Sequence, residues 1–175
     1  MNRKIILLGC MVLLVVSGCA RSPQRVSMGD TNLVHLGYNI TDTLISNLKV
    51  PLDSEKPVLV ACFVDVNNVE RSSSFGRMLA EHMGSRFAQR GYTVVEMKLR
   101  DSVYIREQRG EFLLSRKLRS ISQSHNAQAV VVGTYLVSPR ALYISARVVE
   151  GKDGKILSSS DFTLSLSENM KAILW

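Results

Sequence analysis

Cysteine is scarce in this chain, and its placement excludes more than its number. Cys10 and Cys19 lie in the first twenty residues, which leaves only Cys62 in the body of the protein. Neither an internal disulfide framework nor a four-ligand zinc finger can be built from one thiol. Histidine is also sparse. His35, His82 and His125 stand singly, without the paired spacing of a metal-binding helix. No G-x-G-x-x-G or Walker loop occurs, so the common phosphate cradles are missing. These absences leave no catalytic constellation, and neither an enzymatic activity nor a cofactor is expected. Acid is missing too: no Asp or Glu precedes Asp30. The N-terminal apolar run, Ile5 to Val16, covers twelve residues. At about 1.5 Å per residue that helix falls well short of a hydrocarbon core about 30 Å thick.

What is present suits one packed domain. The chain has 175 residues, 46% of them hydrophobic and 21% charged, enough apolar material for a core and too much for wholesale disorder. The formal charge is +7, from 22 Lys and Arg against 15 Asp and Glu. Removing Arg3 and Lys4 with the leader leaves 20 against 15, or +5, which names no partner.

The N-terminus carries the address. Arg3 and Lys4 form a positive n-region, Ile5 to Val16 an apolar h-region, and Val16-Ser17-Gly18-Cys19 closes the segment. This looks like a bacterial lipobox, with cleavage between Gly18 and Cys19 and acyl chains on the Cys19 thiol. Residues 1–18 are then the signal peptide. Two or more acyl chains anchor a protein stably, whereas one holds only marginally. Ala20, in place of the Asp common in inner-membrane lipoproteins, resembles the outer-membrane pattern. Residues 19–33 contain the lipidated cysteine and a polar, aperiodic tether with Pro23 and Gly29.

Residues 34–167 read as an α/β domain. Leu36, Ile40, Leu44 and Leu48 form one apolar stripe, which predicts a helix over 34–48 ended by Pro51. Pro57 to Val66 is a near-continuous apolar run, as in a parallel strand buried on both faces. A polar loop from Asn67 to Ser73 is expected next, with Ser73 or Ser74 as N-cap. Phe75, Leu79, Met83 and Phe87 predict a helix over 74–89, stopped by Gly91. Tyr92 to Leu99 reads as a strand, Arg100 to Gly110 as a charged loop, and 111–124 as a third helix. Ala129 to Leu136 is a buried strand. Two further strands follow, joined by the turn at Glu150 to Lys155 and ending at Leu166. The expectation is a single domain with a mixed sheet of about five strands: three parallel strands and an antiparallel hairpin extension, with about three helices. The strand at 156–166 is expected at an exposed edge. In the tail, 168–175, Met170, Ile173, Leu174 and Trp175 fall at helical spacing. Such a cluster either folds back on its own domain or docks into a partner.

Several segments, in order, carry a family resemblance. They are Ser74-Phe75-Gly76-Arg77, Arg90-Gly91-Tyr92, Glu96-Met97-Lys98-Leu99-Arg100, Gly110 to Arg116, Val131-Val132-Gly133-Thr134-Tyr135 and Tyr143 to Arg147. With the lipobox, this set resembles the FlgO-type flagellar outer-membrane lipoproteins over about residues 35–166. The resemblance implies a fold like the N-terminal domain of the Tol-system periplasmic protein. It also implies a role in motility and at structures around the flagellum, in company with other envelope proteins.

Three places invite a site. Asp65, with Asn67 and Asn68, sits at the carboxyl edge of the presumed parallel strands, where open α/β sheets take ligands. The stretch 98–119 is rich in basic residues, among them Arg100, Arg106, Arg109 and Arg116. A periplasmic address removes nucleic acid as a natural partner, so this stretch and Trp175 are candidates for contact with envelope proteins or anionic cell-wall and lipid groups. Cys62 and His82 fall in apolar patterns and read as packed side chains. Two functions follow. One is a non-catalytic structural or assembly lipoprotein, anchored to the outer membrane and facing the periplasm, with a second copy of the chain among its candidate partners. The alternative is a periplasm-facing binding module for a small ligand or cell-wall component at the Asp65–Ser74 edge.

Overall fold

The computed structural model describes residues 32–96, 104–106, 112–114 and 116–174. The leader, Gly18, Cys19 and most of the tether therefore lie outside the described residues. The elements run α1 (Leu33–Ser46), β1 (Val58–Val60), β2 (Val64–Asp65), β3 (Asn68–Ser72), α2 (Ser74–Gln89), β4 (Val94–Glu96), β5 (Tyr104–Arg106), β6 (Phe112–Leu114), α3 (Arg116–Ser124), β7 (Ala129–Val137), β8 (Ala141–Glu150), β9 (Ile156–Ser165) and α4 (Glu168–Leu174).

β7 is the axis of a seven-stranded mixed sheet. On one side it pairs in parallel with β1 (Val58↔Ala129) and, further along, with β2 (Val64↔Thr134). β4 flanks β1 in parallel and β3 flanks β2 antiparallel. On its other side β7 pairs antiparallel with β8, and β8 with β9. The parallel arrangement of the three strands and the antiparallel extension are as expected.

The strand count is not five, and the reason lies at Ala61–Phe63. Val58 and Val60 face the helices, while Leu59 and Ala61 belong to the opposite cluster. A strict period of two would send Phe63 with Leu59. Instead Phe63 joins Val58 and Val60, and Val64 joins Leu59. The offset to β7 changes by one residue between the Val60↔Val131 and Val64↔Thr134 pairs. This is a bulge, one extra residue that flips every later side chain. The apolar run 57–66 is therefore two strands. Beyond it the chain turns at Asn67 and returns as β3, where a loop was expected.

The region after β4 also differs. Phe112–Leu114 was expected inside a helix over 111–124. It pairs instead with Tyr104–Arg106 as a separate two-stranded sheet, and α3 begins only at Arg116. A short apolar run fits either state, and cross-strand pairing settles it. With the helical tail, there are four helices among the described residues.

Other boundaries hold. Ser73 caps α2, its hydroxyl accepting the Gly76 N–H at 2.9 Å. Gly91, at φ +87°, takes the left-handed conformation that ends the helix. α1 stops at Asn47, four residues before Pro51.

The main core lies between the sheet and the helices, around Ile40, Leu44, Phe63, Phe75, Leu79, Met83 and Phe87. α4 joins it through Met170, which is 1% exposed, with Ile173 and Leu174 packed alongside. The tail thus folds back on its own domain, and Trp175 lies outside the described residues. A second cluster on the opposite face gathers Leu59, Ala61, Val64, Val69, Val130, Val132 and Val149.

Candidate functional site

Just before the carboxyl end of the parallel strands, the helix side of the sheet is tightly packed. The Phe63 ring lies against Gly133, and its backbone against Gly76, so closely that a Cβ at either glycine would overlap it. Phe63 N–H donates to the Gly76 carbonyl at 3.2 Å, which seats the first turn of α2 on the bulge. Phe75 meets Tyr135 edge to face, ring centroids 5.0 Å apart. The Tyr135 hydroxyl donates to Ser73 Oγ at 2.7 Å, and burial pushes the phenol's pKa up. Asp65 accepts the Asn67 N–H at 2.7 Å, closing its own turn. Phe75, Tyr135 and Ser73 are thus engaged with one another, while Asn67 and Asn68 at the turn stay exposed.

Two of the four basic candidates fall on described elements. Arg106 ends β5 opposite Phe112, and Arg116 opens α3. Arg100 and Arg109 lie outside the described residues. Cys62 sits in the bulge, buried, and desolvation raises its thiol pKa. A buried, protonated thiol is a poor nucleophile.

A polar cluster between α1 and α2 went unread in the sequence. Arg86 grips Asp42 with two hydrogen bonds, of 2.9 and 2.7 Å, and Arg90 adds a third at 2.8 Å. Tyr38 lies under the Arg86 guanidinium, 5.1 Å from ring centroid to Cζ. The arginines hold the Asp42 carboxyl well below the usual carboxylate range. Arg86 and Arg90 are one helical turn apart, which was visible, but their carboxylate comes from another helix.

The feature left open is the flank of the sheet at β9. Its exposed residues, Ser159, Asp161, Thr163 and Ser165, alternate with the buried or half-buried Ser158, Phe162 and Leu164. Leu166 N–H donates to the Arg140 carbonyl at 3.0 Å. In an antiparallel ladder that bond sets the phase. Even-numbered residues of β9 turn their backbone groups to β8, and odd-numbered ones turn theirs outward. Asn47, the C-cap of α1, donates to the outward Ser159 carbonyl at 3.2 Å. Among the described residues, no strand takes the outward groups of Asp161, Thr163 and Ser165.

Solved structures share this architecture. The LpoB C-terminal domain from Salmonella enterica superposes with a TM-score of 0.56 at 14% identity, covering 78% of this chain and all of that one. The LpoB C-terminal domain from Escherichia coli gives 0.52 at 13%, again over 78% and 100%. The NMR structure of E. coli LpoB gives 0.50 at 14%, over 74% of this chain and 66% of that one. These are LpoB domains, not the Tol-system domain to which the family resemblance points, and at such identities the likeness is one of fold. No curated protein is a significant match in sequence. The family model described as FlgO protein matches residues 38–169, from within α1 to within α4. The chain belongs to the FlgO protein family.

Proposed function

We propose that this protein is an outer-membrane lipoprotein with a non-catalytic, structural or assembly role in the cell envelope, associated with the flagellum and needed for motility. The observation that carries the reading is family membership over residues 38–169 on a chain whose leader ends in Ser17-Gly18-Cys19. In this reading Cys19 carries the acyl chains, the tether spaces the domain from the bilayer, and the domain faces the periplasm. No described helix is long and apolar enough to cross a membrane. The close packing of Phe63, Phe75 and Tyr135 beneath the Asp65–Ser74 edge supports a docking role over a ligand-carrying one. Envelope proteins, flagellar ones among them, are the proposed partners.

The test is Cys19→Ala in the native host. The uncleaved precursor should accumulate or the protein should leave the outer-membrane fraction, and swimming should fall. Wild-type protein of unmodified mass, soluble in the periplasm, would overturn the anchor. Full motility in a deletion strain would overturn the flagellar role.

A further inference from the structure

We propose that the open flank of β9 is a homodimerisation edge, on which a second copy of this chain pairs antiparallel about a two-fold axis through Thr163.

β9 lacks the devices that ordinarily protect an edge. Ile156–Ser165 contains no proline, no lysine and no arginine, and Asp161 is its only charge. The accessible part is short. Outward backbone groups belong to the odd-numbered residues, and Asn47 already occupies the Ser159 carbonyl. What remains is Asp161, Thr163 and Ser165, three positions centred on Thr163.

The side-chain pattern favours a second copy over an unrelated strand. Continuing the sheet with faces preserved restricts an antiparallel self-pairing to alternate registers. Centring it on Asp161 would set the two carboxylates opposite each other, which is unfavourable. Centring it on Phe162 would bring in Ser159, whose carbonyl Asn47 holds, and centring it on Leu164 would set Asp161 opposite Ser167, beyond the strand; centring it on Thr163 pairs all three open positions with one another. Thr163 then meets the second copy's Thr163, a favourable cross-strand pair, and Asp161 meets its Ser165. On the helix side, Phe162 meets the second copy's Leu164, and the reverse. Phe162 is half-buried in the single chain, so this pairing covers its remaining apolar surface. The result is one continuous sheet of fourteen strands, two sets of seven, with the unpaired edge removed from both copies.

The experiment uses the full lipidated chain in membranes. Residues directly opposite in a hydrogen-bonded antiparallel pair have Cα atoms about 5.5 Å apart, within disulfide reach. Thr163→Cys should give a disulfide-linked dimer under mild oxidation. Ser159→Cys, on the same face of the same strand but far from its counterpart, should not, and neither should the unsubstituted chain. Thr163→Lys sets two like charges on the axis at a position exposed in the single chain. In detergent, the mass of the complex should halve while the circular dichroism spectrum stays that of the folded domain, with the melting temperature falling only to the value of the dilute monomer. Co-expressing Thr163→Lys with Thr163→Asp should restore a mixed dimer. A monomeric wild-type chain would overturn the proposal. So would equal cross-linking at 159 and 163, a dimer indifferent to Thr163→Lys, or a different protein found paired to β9.

Discussion

Phe63 occupies the space that any side chain at residue 133 would need. The ring leans over the bare backbone of Gly133 in the middle of β7, and it reaches there only because the bulge at Ala61–Phe63 turns it to the helix side. One bulge and one glycine thus work as a pair, and they close the packing between β7 and α2.

Gly133→Ala should therefore destabilise the domain by about 1–3 kcal/mol, the usual cost of forcing extra volume into a packed core. Chemical denaturation would show a lower midpoint with an unchanged slope. Phe63→Leu should recover part of the loss in the double variant, because the residues are in contact. Additive losses would mean that the two do not share the space.

Ser158 ties the edge strand to α1. Its hydroxyl, in a residue 5% exposed, donates to the Leu44 carbonyl at 2.7 Å. Leu48 N–H, the usual helical partner of that carbonyl, bonds to Ile45 instead. Ser158→Ala leaves a buried acceptor short of a donor and should cost about 1–3 kcal/mol. Hydrogen exchange at Ser159 to Ser165 should rise with it, since α1 then releases the edge.

Met170 makes the tail part of the fold. At 1% exposure in the main core, Met170→Ala should cost about 2–5 kcal/mol. Deleting 168–175 should lower the melting temperature of the chain at least as far. A tail that served only a partner would leave the melting temperature unchanged.

Asp42 sets an acid limit. Hydrogen bonds from Arg86 and then Arg90 depress its carboxyl below the usual range. A depressed carboxylate contributes stability above its unfolded value, about 3.9, and loses it as pH falls toward the folded value. Asp42→Asn should lower the melting temperature by a few degrees at neutral pH. The gap to wild type should be flat above about pH 5 and narrow below about pH 4. A gap that persists unchanged at low pH would show that the carboxylate's charge is not what binds the two helices.

The sequence by itself determined the features that are local. Charge, an apolar run and Ser-Gly-Cys carry the proposed leader within nineteen residues. Leu36, Ile40 and Leu44, and Phe75, Leu79, Met83 and Phe87, mark two helices, because a 3.6-residue period repeats within one segment. The alternation in β8 and β9 marks the hairpin and its wet face for the same reason. Only the tertiary structure decided what depends on distant partners. The bulge at Ala61–Phe63 exists because Phe63 finds Gly133 and Gly76, residues far along the chain. Phe112–Leu114 is a strand because Tyr104–Arg106 lies beside it. Asp42 finds Arg86 and Arg90 across two helices, and only the phase of the β8–β9 ladder shows which groups of β9 face outward. Apolar spacing records which side of an element is dry; it does not record which residue is waiting on the other side.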